Sequence, residues 1–304
     1  MNIVISGGTG FIGSSLVRAF TGRGHYVTVL TRGGTRRLAL PRNAGVIACH
    51  STERGSWQRE VAEHDVVINL AGASIFMRWT PKNKQAIVSS RVMTTGNLVE
   101  AVAMRKGKET HFINVSGVGY YGYHGDEVLD ENAAPGEDFL ATVAKQWESA
   151  AMSATQSGAR LVICRLGHVL GNGGGVLPKL RTLSRLHLGS HWGSGRQWVS
   201  WIHEEDMTRA FLYLLERKEI SGPVNVTASN PVRNSELMKT LTRLIRSKPV
   251  IPHVPGFMLR LLTGEFATAF LEGQRVLPQA LLRSGFVYSY SFLDEALGEL
   301  LADK

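Results

Sequence analysis

Short aliphatic runs alternate along this chain with longer segments whose apolar positions recur every three or four residues. The run 2–6 (NIVIS) reads as a strand that passes straight into glycines. Residues 10–24 (GFIGSSLVRAFTGRG) have helical spacing and end on Gly22 and Gly24. A second strand is predicted over 26–32, a third over 46–50 and a fourth over 65–72, with a helix near 54–63. Pro81, a favourable first-turn residue, opens a long helix predicted to reach Met104. The fifth strand is 110–117, a helix covers 138–156, and 160–171 reads as one continuous sixth strand. Apolar strands separated by helices predict a parallel sheet covered on both faces, the doubly wound α/β (Rossmann) architecture.

After Gly171 the alternation weakens. Residues 198–228 read as strand, helix and strand and are expected to return to the sheet. Residues 172–197 and 229–304 are expected to form a smaller, mostly helical C-terminal lobe that carries the substrate side.

Within the first strand–helix junction, GGTGFIG sets Gly7, Gly10 and Gly13 three apart. Gly7 suits a tight turn, Gly10 a close backbone approach to a pyrophosphate, and Gly13 a helix lying close on its strand. The amides of Gly10, Phe11 and Ile12, with Thr9 beside them, are then predicted to face a diphosphate at the positive end of the helix. A site for NAD usually carries an acidic residue at the end of strand 2. Here that position holds Thr31 and Arg32, followed by Arg36 and Arg37. A guanidinium pairs with a 2′-phosphate where a carboxylate would repel it, so NADP is predicted over NAD. Arg36 and Arg37 fit either phosphate contact or a solvated loop.

Charge and composition narrow the classes. A 304-residue chain with 43% hydrophobic and 19% charged residues has ordinary globular composition. Residues 1–60 carry eight arginines against Glu53 and Glu60, spread over several predicted elements rather than one helical face. That distribution argues against nucleic acid and suits either a small polyanionic ligand or a generally basic surface. The start MNIVIS lacks the features of a signal peptide, and no apolar run reaches the ~18 residues of a span, so no membrane partner is expected. Cys49 and Cys164 sit in strand-like runs as buried thiols, which predicts a cytoplasmic protein. His187 and His191 are separated by Gly189 and Ser190, which does not predict a helical metal pair.

Several stretches resemble the extended short-chain dehydrogenase/reductases: GGTGFIG, INLAG (68–72), SGVGYYG (116–122) and RLGHVLG (165–171). SSRVMTTGNLVEAV, DFLATVAKQWE, GNGGGVLPKL, GSGRQWVSWIHEED and EGQRVLPQALLRSGF match more closely an atypical branch called the epimerase family, including its C-terminal extension. The resemblance implies that Leu70, Ala71 and Gly72 line the adenosine half of the cofactor. It implies that Arg91 reaches the cofactor, against the alternative of a surface ion pair. Ser116 and Arg165 fall beside the nicotinamide ribose, unless Ser116 caps a turn and Arg165 pairs with a buried carboxylate. Many extended members form a homodimer, which the resemblance allows here.

Catalysis in that family uses a tyrosine four residues before a lysine on the helix after strand 5. Lys145 is present, but four residues earlier stands Ala141, which has no proton to exchange. Aligned on Tyr121-Gly122, Gly117 occupies the usual hydroxyl position, with Ser116 one residue early. Tyr120, Tyr121, Tyr123 and His124 follow strand 5 at the ligand-binding edge, and Tyr121 with Lys145 forms the substitute catalytic pair, against packing for the tyrosine and ribose binding for the lysine. In the smaller lobe, Trp192, Trp198 and Trp201 with Arg196 and His203 suit either a planar ligand or a packing seam, with Glu205 or Asp206 charging the next helix. Two functions are expected to compete. One is an NADP(H)-dependent oxidoreductase or epimerase-like enzyme on a small substrate, nucleotide-linked or not. The other is a non-catalytic NADP(H)-binding sensor or scaffold with a protein partner, as in relatives implicated in plastid or cell division.

Overall fold

Ile3 and Ile5 pack to one side of the first strand and Val4 to the other, and all three are fully buried, because helices cover both faces of the sheet. The computed structural model describes residues 1–33, 40–41, 43–105 and 107–302. Its central strands are β1 (Asn2–Ser6), β2 (Tyr26–Thr31), β3 (Ala44–Ala48), β4 (Val66–Asn69), β5 (His111–Gly117), β6 (Arg160–Leu166) and β7 (Gly222–Val226). They form one parallel sheet in the order β3-β2-β1-β4-β5-β6-β7. The longer helices are α1 (Phe11–Gly22), α2 (Trp57–Val61), α3 (Pro81–Met104), α4 (Phe139–Met152), α5 (Leu177–Arg185), α6 (Glu204–Glu216), α7 (Asn234–Leu244) and α8 (Gly256–Thr263).

On one face Leu16 and Phe20 of α1 and Phe211 and Leu214 of α6 pack against Ile3, Ile5, Val29 and Ile68. On the other, Trp57 and Val61 of α2 and Leu98 and Val102 of α3 cover Val4, Val67 and Phe112. Each such fully buried side chain contributes about 1.5–3 kcal/mol. α3 starts where its sequence predicts: Pro81 fills the first turn and the Thr80 hydroxyl accepts from the Asn83 amide.

The sixth strand differs from expectation. It breaks at Gly167, and His168–Leu170 leaves the sheet to pair with Trp201–His203. A β-carbon at 167 would lie 2.6 Å from the Ser200 carbonyl oxygen, so glycine is what allows the two backbones to meet there. Of residues 198–228 only β7 joins the central sheet, beside β6, while Trp198–Val199 and Trp201–His203 pair in separate two-stranded sheets.

A third core, with Leu177, Leu180, Trp201, Leu237, Leu241 and Leu297, gathers α5, α7 and the C-terminal helix Leu293–Leu301. Aromatic contacts join this region to the loops at the sheet edge. Trp79 meets Phe139 at 4.9 Å and Phe266 at 5.4 Å, and Phe270 meets Trp192 at 4.8 Å. Asp206, fully buried in the first turn of α6, accepts the Ser289 and Tyr290 amides at 2.8 Å and so fastens the tail. Among the described residues no helix is long and apolar enough to cross a membrane.

His64 couples this core to pH. Its Nδ1 lies 2.9 Å from the Glu60 carbonyl oxygen and its Nε2 2.9 Å from the Thr28 hydroxyl. A carbonyl only accepts, so Nδ1 carries the proton and Nε2 accepts from Thr28. Burial lowers the pKa of the ring below its ordinary value. The unfolded chain therefore binds this proton more readily; the stabilisation is present above about pH 6.5 and is lost as the pH falls below it. Urea unfolding measured from about pH 7.5 to about pH 5.5 is expected to show stability falling with acidification. A His64→Gln variant should have a flatter slope; an unaltered slope would assign the effect elsewhere.

Candidate functional site

The register of the sheet brings the sequence-predicted residues to one edge. Ser6 lies level with Leu30 on one side and Asn69 on the other, and Asn69 level with Asn114. Ser116 lies level with Arg165, and Arg165 with Asn225. Gly7, Thr31, Leu70, Ser116 and Arg165 thus stand along the carboxyl ends of five neighbouring strands. The chain winds outward from β1 to β3, then crosses back to β4, so the β1–β4 boundary is the switch point where such sheets bind ligands.

Gly7 has φ +72°, and a β-carbon there would lie 3.0 Å from the Leu70 backbone. Side chain and conformation both exclude other residues. Gly13 packs on the turn itself, where a β-carbon would come within 2.3 Å of the Gly7 oxygen. The amide expectation shifts by one residue: Gly10 N–H donates to the Gly7 carbonyl at 3.0 Å and is spent inside the turn. No side chain caps α1 at Gly10. Among the described residues nothing accepts from the amides of Phe11, Ile12 and Gly13, which leaves the first turn as an anion-binding end.

Phe11 has a second role that the glycine pattern did not disclose. Its ring is packed by the loop 171–175, where a β-carbon at Gly171 would approach it to 2.7 Å and one at Gly174 to 2.8 Å. The GGG run is therefore a close-packing device against Phe11. The signal was visible as three consecutive glycines, but its target lies some 160 residues away in the chain.

Leu70–Gly72 is held by Asn69, which is fully buried. Its Oδ1 accepts from the Ser6 hydroxyl at 2.6 Å and the Ala71 amide at 3.3 Å. Its Nδ2 donates at 2.8 Å to Thr95 on α3 and at 2.8 Å to Asn114 on β5. Trp147 of α4 donates to the same Thr95 hydroxyl at 2.9 Å. An asparagine closing an apolar strand was the sequence signal for this network.

Two cations border the turn. Arg32 is exposed directly after β2, while Arg36 and Arg37 lie outside the described residues. Arg91 of α3 lies against Gly72, with Nη1 donating to the Ala73 and Ile87 carbonyls at 3.0 Å each and its guanidinium 5.0 Å from the Trp147 ring. Burial lowers its pKa to about 10, and among the described residues no carboxylate pairs with it. The alternative of a surface ion pair therefore does not hold.

Arg165 takes the other course. It is buried and makes a two-pronged pair with Glu148, Nε to Oε1 at 3.0 Å and Nη2 to Oε2 at 2.8 Å, and Nη1 donates to the Tyr121 hydroxyl at 3.0 Å. Burial alone would lower its pKa, but the Glu148 carboxylate reverses this and leaves it raised. Tyr121 has no exposed surface, donates to Asn225 at 2.7 Å, and is pushed up to about 12 by burial. That phenol is a packed structural group rather than an accessible acid. The Tyr120 ring stacks 3.4 Å from the Arg165 guanidinium. Lys145 is half-buried on α4, with no hydrogen bond or ion pair among the described residues, and Ala141 beside it is fully buried. The buried Ser116 hydroxyl at the end of β5 has no partner within the described protein. The orphan hydroxyl, the uncapped helix turn and the unpaired Arg91 together fit a ligand that bears both hydroxyls and phosphates.

The tryptophans separate. Trp201 is core, and Trp192 packs on Phe270. Trp198 donates to Asp126 at 2.9 Å, stacks 3.9 Å from Arg233, and borders an open cleft of about 290 Å³ with Arg196. His203 is buried between Glu299 at 3.1 Å and the Tyr290 ring at 4.0 Å, and caps α6 by accepting from the Glu205 amide.

The chain is similar to known proteins over its whole length. The NAD dependent epimerase/dehydratase family matches residues 3–227, and a domain of unknown function, DUF1731, matches residues 254–300. Epimerase family protein YfhF of Bacillus subtilis is 39% identical over 100% of this chain and 99% of its own. The chloroplastic SDR39U1 homolog of Arabidopsis thaliana is 35% identical over 99% of this chain and 87% of its own. The crystal structure of human epimerase family protein SDR39U1 (isoform2) with NADPH superposes with a TM-score of 0.85 at 29% identity, covering 99% of both chains. With its parallel sheet, glycine turn and C-terminal extension, the chain belongs to the NAD dependent epimerase/dehydratase family, in the company of the proteins called epimerase family proteins.

Proposed function

We propose that this protein binds NADP(H) at the β1–β4 switch point and acts in oxidoreductase or epimerase-like chemistry on a small substrate, free or nucleotide-linked. The observation that carries the reading is the uncapped first turn of α1, with its three unpaired amides flanked by Arg32 and the unpaired Arg91. The amides of residues 11–13 would hold the diphosphate. Arg32 would meet the 2′-phosphate, since the first carboxylate in the chain is Glu53 and none stands at the end of β2. Leu70, Ala71 and Gly72 would line the adenosine side, with Gly72 bare so that Arg91 can lie flat against it. Ser116 and Lys145 would hold the nicotinamide ribose through a hydroxyl and an ammonium that have no other partner among the described residues. Bound NADPH supplies a hydride; the human SDR39U1 structure that carries NADPH supports this choice of cofactor.

Proton transfer belongs to neither Ala141 nor Tyr121, because one has no proton and the other is sealed in the Arg165–Asn225 network. The same two facts favour a second reading, a binder that senses NADP(H) without turning it over. NADPH oxidation across a panel of carbonyl compounds and sugar nucleotides separates the two. Turnover that falls with Lys145→Ala supports the enzyme, and saturable binding with no turnover supports the sensor.

Titration calorimetry is expected to show NADPH binding at least about tenfold tighter than NADH. Arg32→Glu should abolish that preference by weakening NADPH alone, and a wild-type preference for NADH would overturn the assignment. Ala141→Tyr, which restores the family's tyrosine in sequence, should instead destabilise the fold by about 1–3 kcal/mol in urea unfolding, as an overpacked buried site.

A further inference from the structure

The C-terminal extension leaves a surface that no part of the cofactor reading uses. Every residue of α8 escapes burial, although its sequence, GFMLRLLT, has one charge. Phe257 is 72% exposed, Leu261 76% and Leu262 70%, with Met258 between them. An isolated exposed leucine needs no explanation; adjacent turns of one helix turned outward do.

The patch continues beyond the helix. Val250, 77% exposed, is tied to the segment after α5 by its amide donating to the His187 carbonyl at 2.9 Å, and Leu186 beside it is 62% exposed. His253–Val254 pairs in parallel with His191–Trp192, which holds the segment after α5 against the one that leads into α8. At the far end, Arg78 donates to the Leu261 carbonyl at 3.5 Å.

Within the two segments the charge has one sign, and Glu265, directly after α8, is engaged by Lys84 at 2.6 Å. The chain contains no Asp or Glu from 149 to 203, and none from 237 to 264. The cations of these segments, Lys179, Arg185, Arg246, Lys248 and Arg260, are all exposed, and none is in an ion pair among the described residues, although Lys179 lies over the Phe76 ring. A protein partner would require a matching acidic and apolar face. A bilayer with anionic headgroups supplies both chemistries at once, apolar depth for Phe257, Leu261 and Leu262 and negative charge for the rim.

We propose that this face docks the protein peripherally on an anionic phospholipid membrane, with α8 inserted at the headgroup boundary and no segment crossing it. The expectation from sequence of no membrane partner rested on the absence of a span. It missed a surface assembled from two segments about 70 residues apart, each too short to register as apolar by itself.

Co-flotation of the full chain with vesicles of about one-third phosphatidylglycerol and two-thirds phosphatidylethanolamine tests this. Binding is expected to those vesicles and not to pure phosphatidylcholine. Phe257→Asp with Leu261→Asp should remove it, and Arg185→Glu with Lys248→Glu should weaken it by at least about tenfold at low salt. Far-ultraviolet circular dichroism and NADPH affinity should match the wild type in both variants, since all four side chains are exposed and distant from the glycine turn. No flotation of the wild type overturns the proposal. So does a wild-type dimer in sedimentation that the aspartates make monomeric, which would assign the face to a second copy of the chain. Equal binding to neutral vesicles would overturn the electrostatic part.

Discussion

The candidate site depends on one asparagine used to its full capacity. Asn69 has two donors and two acceptor positions, and all four are satisfied, by Ser6, Ala71, Thr95 and Asn114. Those partners stand on β1, the segment after β4, α3 and β5. A single buried amide therefore fixes the distance between the strand that feeds the glycine turn and the segment that faces it. The tolerance is small, because Gly7 and Leu70 already approach closely enough to exclude a β-carbon. Leaving any one of these buried groups unpaired costs about 1–3 kcal/mol, so slippage of β4 against β1 is resisted by several such penalties together.

Two arginines beside this network, one buried and one half-buried, are satisfied in opposite ways. Arg165 is held on two nitrogens by Glu148, on the third by Tyr121, and on its face by the Tyr120 ring, so its charge is already paired inside the protein. Arg91 is half-buried and holds only carbonyls and an indole face, and burial depresses its pKa. Arg160 has the same character, donating only to the Arg217 and Leu214 carbonyls, but it stands at the opposite, amino end of its strand, whereas Arg91 lies against Gly72. The pKa directions of Arg165 and Arg91, raised in one and lowered in the other, express the difference in pairing.

The layered fold was legible in the sequence because each strand carries its own signal. Ile3, Val4 and Ile5 announce a strand wherever they stand, and GGTGFIG marks the turn and the helix next to it. The features that stayed hidden depend on contacts between distant residues. Gly167 looks like any residue in RLVICRLGHVLG until the Ser200 carbonyl is seen against it. Gly10 looks free to donate until the turn closes on it, and Arg165 looks like a ribose ligand until Glu148 arrives from α4. The exposed face of α8 was illegible because its apolar run is short, and only the lack of a covering layer among the described residues marks it as a surface.

Phe11 joins the two halves of the molecule at the point where chemistry is expected. As the first helical residue of α1 it supplies one of the three open amides, and its ring is clasped by Gly171–Gly175 of the chain leading into α5. The same C-terminal region is anchored across the sheet edge through Phe266, Trp79 and Phe139. The lobe that carries α5 and α8 therefore grips the site at both ends, once at the phosphate-facing turn and once at the start of α4, the helix of Lys145. Both contacts are close-packed, so the position of α1 and the position of the chain leading into α5 are set together. The glycines of the clasp have no side chains to yield, and Asn172 among them is tied to the Leu300 carbonyl at 2.8 Å, so the contact with Phe11 is backbone against ring.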